Sequence, residues 1–394
     1  MEGVQSVPSR VELARRAVLL VPVLREQATW SEANGRLSDV AVAALTDAGV
    51  FRMRMPVRFG GYEVDAATLV DVGIEVGRGD GSAGFNVAAW WIMTWQVGLF
   101  PDEVQEEVFA DPDVRICGTL APTGTAVAKD GGIVVNGQWN FNSGAAHSTW
   151  KLLTAMLPTA DGGTEPVSAL VPISELTMVD DWDVAGLRGT GSIRASAQDL
   201  FVPASRFLPI SALLSEQYPT RLNAGRPAYS VPMVASVGVA TVGKIVGIAR
   251  AAIELFLDRI ETRTITNTMY ERQGDAAVTH LQVAEAELLA DEAEYHARRL
   301  AAMVDEKGLA GEPWTLRERG YARVCVGRAC QLAGQAVDLL AGACGANSIY
   351  STDPIQRIRR DMQAINIHSV NLPSTNLELY GRILCGREPN TFFV

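Results

Sequence analysis

The chain has 394 residues, 48% of them apolar and 20% charged, which is the make-up of a folded protein of about two or three domains and excludes broad disorder. Its net charge of −11 argues against a nucleic-acid-binding surface, because neutralising phosphates needs clustered Lys and Arg. No run reaches the roughly 18 uninterrupted apolar residues of a membrane span.

The N-terminus, MEGVQSVPSRVELARR, lacks the apolar core of a signal peptide. The five cysteines (Cys117, Cys325, Cys330, Cys344 and Cys385) are odd in number and contain no C-x-x-C pair. Together these features predict reduced thiols in a cytoplasmic protein, with neither a zinc site nor a disulfide framework.

In chain order, the first hundred or so residues read as helical. Within LSDVAVAALTDAGVF, Ser38 is the expected N-cap and Gly49 the C′ stop, with Val42, Leu45 and Ala48 at helical spacing. Met55-Pro56 and Gly60-Gly61 mark a turn, and an apolar helix follows through GSAGFNVAAWWIMTWQVGLFP. After about Val114 the pattern becomes short runs (RICGTLAP, GIVVNGQW, KLLTAML, VSALVPI, QDLFVP) between Gly, Pro, Asp and Asn clusters, several of them alternating. That predicts antiparallel β-structure. From about Val231 the helical period returns in four long segments, which predicts a bundle. The expected organisation is α+β: a helical domain over 1–114, a central β-domain over 115–228 and a helical bundle over 229–394.

Three motifs lie in these regions. They are GQWNFNSGAAHSTW in the β-region, GACGANSIYSTDPIQRIRRD before the last long helix, and RDMQAINIHS, which carries His368 in a mostly apolar helical run. Their order across almost the whole chain resembles the acyl-CoA dehydrogenase fold, with a barrel-like central domain and a C-terminal four-helix bundle. The resemblance implies that Ser143 stands beside flavin N5, with Phe141 in place of the usual tryptophan. It also implies that Gly345 and Asn347 occupy the family's Gly-rich turn, and that Pro354 keeps the expected distance from Arg360-Asp361. Common acyl-CoA dehydrogenases carry Tyr-Glu-Gly after that pair, and the glutamate removes the thioester's α-proton. Here the positions hold His368, Ser369 and Val370. A positioned base contributes about 10²–10⁴-fold, and a serine hydroxyl does not replace it.

The histidine pattern, with GLRGTGS (Gly186 to Ser192) and FNSG, is similar instead to two-component flavin monooxygenases on this fold. Those are oxygenase components that hydroxylate aromatic, steroid-phenol or indole compounds. The resemblance implies reduced FAD or FMN delivered by a separate NAD(P)H-dependent flavin reductase, oxygen as co-substrate, a flavin C4a-hydroperoxide, a small aromatic or polycyclic substrate, and a homotetramer. No G-x-G-x-x-G follows a strand and opens a helix, so no dinucleotide-binding Rossmann unit is expected, and electrons must come from a substrate or another protein. An acyl-CoA dehydrogenase or flavin oxidase with a relocated base, an N- or S-oxygenase, and a non-enzymatic helical scaffold are the alternatives.

A lone His on an apolar helix is ordinarily a core residue bonded to a carbonyl. Its position gives His368 a catalytic reading, as a proton donor or acceptor near neutrality. Ser143 alone would read as a turn hydroxyl. Trp90 and Trp91 diverge by about 100° around their helix; core packing is the bland reading and a wall of the substrate pocket the functional one. Thr119 and Leu120 are expected at the flavin's pyrimidine edge. Arg263 is expected at a flavin phosphate, across a subunit interface, with Arg272 as its rival. His147, His280 and His296 receive no role, and the charges of AEAELLADEAEYHARR read as a solvated or intersubunit face.

Overall fold

A computed structural model describes residues 7–394; residues 1–6, part of the stretch read for a signal peptide, lie outside it. Five helices come first: α1 (Arg10–Asn34), α2 (Asp39–Asp47), α3 (Ala66–Gly79), α4 (Gly81–Val97) and α5 (Asp102–Val108). The Ser38 hydroxyl caps α2 by accepting the Ala41 N–H at 3.1 Å, and Gly49 follows it at φ +77°. Asp80 caps α4 in the same way, through the Ala83 N–H at 2.9 Å.

Eight strands form one sheet in the order β6-β7-β3-β2-β4-β5-β8, with β1 (Ile116–Gly118) parallel to β4. β2 (Gly124–Lys129) and β3 (Gly132–Trp139) make a hairpin. β4 (Trp150–Pro158) and β5 (Thr164–Pro172) pair antiparallel, β6 (Thr177–Val179) edges β7 (Arg194–Pro203), and β8 (Phe207–Pro209) edges β5. The outer strands β6 and β8 do not pair, so the sheet is open rather than a closed barrel.

After α6 (Ile210–Leu214) come the long helices α7 (Met233–Ile260), α8 (Ala277–Ala310) and α9 (Leu316–Ala343). The shorter α10 (Pro354–Asn366) and α11 (Pro373–Leu384) close the chain. Among the described residues no helix is long and apolar enough to cross a membrane.

The hydrophobic core divides the chain differently from its sequence order. Residues of the helices before and after the sheet share one buried cluster, whereas the sheet has its own core around Val135, Trp139, Leu153 and Val202. The join between the helical halves is close: a Cβ added to Gly77 of α3 would lie 2.5 Å from the Lys244 carbonyl oxygen of α7. Small residues there let two backbones meet, which makes α3, α4 and α7 a rigid block.

One expectation is corrected here. His368 does not belong to a helical run, because α10 ends at Asn366 and His368 opens the turn after it. Its carbonyl accepts the N–H groups of Asn371 and Leu372 at 2.8 and 2.9 Å. A tight turn, not a helix face, therefore aims the ring.

Candidate active site

Two rows of α4 define the site. Ser82, Asn86 and Trp90 recur at i, i+4 and i+8 on one face. Ser82 lies against Gly189, and Trp90 against Gly144, so this row carries the loops around Ser143 and Thr190. Asn86, between those contacts, is 0% exposed, and both atoms of its amide lack a protein partner. Gly81, Phe85, Ala89 and Ile92 form the neighbouring row and are its half-exposed stripe, while the rest of α4 is buried. This stripe is the face of α4 that its neighbours leave partly uncovered.

His368 meets that face: its ring stands edge-on to Phe85, with centroids 5.5 Å apart. The residue is exposed, with one edge of the imidazole packed on Phe85. Burial, followed by the charge of Lys244, pushes its pKa down to about 4; the water on its exposed side limits the push without reversing it. Nδ1 accepts the Val370 N–H at 3.3 Å. At neutral pH the ring is therefore uncharged, with its hydrogen on Nε2 and free to donate. Among the described residues no carboxylate contributes to the shift of this ring. The two buried acids nearby are pinned: Asp80 caps α4, and Asp361 accepts the Leu187 N–H at 2.6 Å. Burial and then Asp80 raise Asp361 to about 7.

Lys244 of α7 is the residue that sequence reasoning missed. It is buried, its Nζ lies 5.1 Å from the Phe85 centroid, and burial lowers its pKa to about 7. The available signal was a single cation inside the apolar run VGVATVGKIVGIA.

Ser143 is 5% exposed, in a loop between β3 and β4. Its Oγ lies 2.7 Å from Ser192 Oγ, which lies 2.7 Å from Thr190 Oγ1. Phe141, two residues earlier, has φ +62° and an exposure of 67%, and touches Trp182 edge-on at 5.9 Å. A bulky side chain in the left-handed region is strained, and an exposed ring held there has one face open to a planar partner. Thr119 has its N–H on the Leu152 carbonyl and its own carbonyl on the Thr154 hydroxyl. At the expected pyrimidine edge, the half-exposed Leu120 has the peptide that makes no hydrogen bond within the described residues.

The remaining sequence candidates fall elsewhere. Trp90 and Trp91 are each 1% exposed, with indole N–H groups on Ser148 Oγ at 3.0 Å and the Val50 carbonyl at 2.8 Å. The structure therefore gives them the core, and Phe85, Ala89 and Ile92 the half-exposed face of α4. Arg263 and Asn347 line a cavity of about 430 Å³ with Arg259, Tyr350 and Asp353. The exposed Gly345 begins the turn at φ +68°. Arg259 is bound to Asp353, and Arg272 to Asp275 and Glu261, so Arg263 is the arginine of the two sequence candidates left to face a ligand.

Comparison with known proteins decides the family. Residues 239–373 match the family described as acyl-CoA dehydrogenase, C-terminal domain. The oxygenase subunit HsaA of a flavin-dependent monooxygenase from Rhodococcus jostii is 32% identical, over 93% of this chain and 96% of its own. The chain belongs to the flavin-dependent monooxygenases of the acyl-CoA dehydrogenase fold. The crystal structure of a 3-HSA hydroxylase from a Rhodococcus superposes with a TM-score of 0.90 at 30% identity, covering 97% of this chain and 99% of that one. XiaF from a Streptomyces, in complex with FADH2 and glycerol, superposes with a TM-score of 0.89 at 28% identity, covering 97% of each chain. In this chain the site presents His368 and two acids, Asp80 and Asp361, that are held in backbone hydrogen bonds.

Proposed function

We propose that this chain is the oxygenase component of a two-component system that hydroxylates a flat aromatic or polycyclic substrate with reduced flavin and oxygen, the flavin arriving from a separate NAD(P)H-dependent reductase. The observation that carries this reading is the His368 ring standing edge-on to Phe85 on the half-exposed row of α4, with no carboxylate among the described residues acting on it. The local chemistry fits a flavin: the hydroxyl of Ser143 and the uncovered Phe141 ring in the loop after β3, the open peptide of Leu120 after β1, and the unpartnered Asn86 amide of α4 are groups a flavin ring can engage. Bound reduced flavin supplies the electrons that activate oxygen.

The residues of this chain would do the rest. Phe85, Ala89 and Ile92 offer an apolar wall for a planar substrate. Ser143 holds the ring at N5. The Nε2–H of His368 donates a hydrogen bond toward the oxygen being transferred, which fits its neutral state better than accepting a phenol proton does. The test is to supply FADH2 or FMNH2 anaerobically, add oxygen, and measure hydroxylated product for a panel of phenols and indoles. Reduction of bound oxidised flavin by an acyl-CoA thioester would defeat the proposal.

The chain would act as a homotetramer. From Lys244 to the end of α7 at Ile260 the helix runs about 24 Å, far more than the ribityl link between a flavin ring and its first phosphate. With a flavin ring at Ser143, Arg263, Gly345 and Asn347 would come from a neighbouring copy. Helix α8 also leaves Leu281, Leu288 and Tyr295 exposed at a seven-residue repeat, a seam suited to another helix. Light scattering of Leu288→Glu is expected to show a smaller species.

A further inference from the structure

The two Oγ–Oγ contacts of the Ser143 loop belong to a longer row that ends on a backbone carbonyl. Thr190 Oγ1 donates to the Leu187 carbonyl at 2.7 Å; Ser192 Oγ is 2.7 Å from Thr190 Oγ1, and Ser143 Oγ 2.7 Å from Ser192 Oγ. All three hydroxyls are buried. The carbonyl is fixed, since it also accepts the Trp182 indole N–H and the Thr190 N–H, both at 3.1 Å, and its own residue is tied by its N–H to Asp361.

A carbonyl oxygen has no hydrogen to give. The hydrogen between Thr190 and Leu187 must therefore come from Thr190, and two oxygens 2.7 Å apart with none between them would repel. Thr190 then has nothing left to donate, so Ser192 supplies the next hydrogen and Ser143 the one after. Three hydrogens fill three bonds, and Ser143 Oγ ends the row with lone pairs only.

We propose that Thr190 and Ser192 are positioning residues that lock the Ser143 hydroxyl as a hydrogen-bond acceptor, so that the site discriminates in favour of reduced over oxidised flavin. The inference rests on Ser143 being the N5 contact. N5 of reduced flavin carries a hydrogen and donates; N5 of oxidised flavin offers a lone pair and needs a donor. An acceptor at Ser143 matches the first and opposes the second. To bind the oxidised form equally well the row must reverse, which breaks the bond to Leu187. The discrimination expected from one such bond is on the order of tenfold in relative affinity.

The test measures dissociation constants for oxidised flavin in air and for reduced flavin under anaerobic conditions, in the full-length protein. Thr190→Val and Ser192→Ala each release the row and let Ser143 donate. Both are expected to lower the ratio of oxidised to reduced constants by about tenfold, chiefly by tightening oxidised flavin. Such a change corresponds to a drop of about 30 mV in the midpoint potential of the bound flavin. Thr190→Ser retains the hydroxyl and keeps the wild-type ratio. Ser143→Ala separates the two levels of the argument. If it changes neither constant, Ser143 does not meet N5, and this proposal falls with that reading. If it weakens reduced flavin while Thr190→Val and Ser192→Ala leave the ratio unmoved, the N5 contact stands and the locked polarity is wrong.

Discussion

Lys244 and His368 meet the same aromatic ring: the ammonium lies 5.1 Å from the Phe85 centroid, and the imidazole centroid lies 5.5 Å from it. Both ionisable groups have a lowered pKa, Lys244 to about 7 and His368 to about 4, with burial as the largest cause in each. Lys244 has three N–H donors, and among the described residues its one hydrogen bond goes to the Thr241 carbonyl in its own helix at 3.1 Å. A buried amine so poorly partnered is costly. Between pH 7 and the free-lysine value of about 10.4, the unfolded chain holds this proton and the native chain does not. Stability due to this group therefore rises with pH through that window. Lys244→Met is expected to stabilise the protein at pH 7 by on the order of 1–3 kcal/mol and to flatten the dependence of denaturation midpoints between pH 7 and 10. An unchanged slope would show that Lys244 is not the titrating group. The same substitution is expected to move the His368 pKa up, as read by NMR titration.

For His368 the sign is the same, in a lower pH window. Burial and the Lys244 charge lower the native ring toward about 4, whereas an unfolded histidine protonates near 6.5. Stability due to this residue is complete above that value and declines as pH falls toward 4. The variant that removes the Nε2–H donor, His368→Ala, is expected to lower product formed per flavin oxidised by about ten- to a hundredfold and to release the difference as hydrogen peroxide. Flavin affinity should hold. Wild-type coupling is expected to stay level from pH 7.5 down to about 5.5; a sharp loss centred near 6.5 would mean that the ring titrates like a free histidine and that its surroundings do not hold it neutral.

What could be seen in the sequence was set by local chemistry. Ser38 and Gly49 bound their helix because capping hydroxyls and left-handed glycines act on immediate neighbours. His368 could be found because a short motif fixes its distance from Asp361. Helix α3 was harder: its glycines Gly73 and Gly77 carry no helix signal of their own, and their reason is the close approach of α7. Strand β2 was passed over, although Asp130-Gly131, with the glycine at φ +78°, is the turn that makes it a hairpin with β3. Trp90 and Trp91 drew attention by composition, but which row of α4 faces water depends on what packs behind it. The hydroxyl row was out of reach altogether, because Ser143 and Ser192 are 49 residues apart and only the sheet brings them together.

The two arginines expected near a flavin phosphate can be told apart. Arg272 is engaged with Asp275 and Glu261 at the surface, whereas Arg263 lines the cavity beside Asn347. Arg263→Ala is expected to weaken flavin binding by about tenfold, as loss of one charge-assisted contact does, and to reduce its sensitivity to salt. Arg272→Ala is expected to change it by less than about twofold. Fluorescence titration at two ionic strengths checks both; equal losses would mean that the ion pairs of Arg272 open when flavin binds.

Phe141 gives a case in which stability and binding should part. Its left-handed backbone, at φ +62°, costs roughly 1–2 kcal/mol for a residue with a Cβ, and Phe141→Gly relieves that. Glycine's greater freedom in the unfolded chain takes back about 0.5–1 kcal/mol, and losing the edge-on contact with Trp182 costs about as much again. The three nearly cancel, and with the ring 67% exposed there is little other packing to lose. Thermal unfolding of Phe141→Gly is therefore expected within about 1 kcal/mol of wild type, while affinity for flavin falls by tenfold or more if the exposed ring is the surface on which the isoalloxazine rests. Strong destabilisation with flavin binding intact would reverse the assignment and make Phe141 a support for the Trp182 loop. The near-cancellation is what gives the measurement its power: a strained, exposed aromatic side chain that contributes almost nothing to folding has its reason in what it binds.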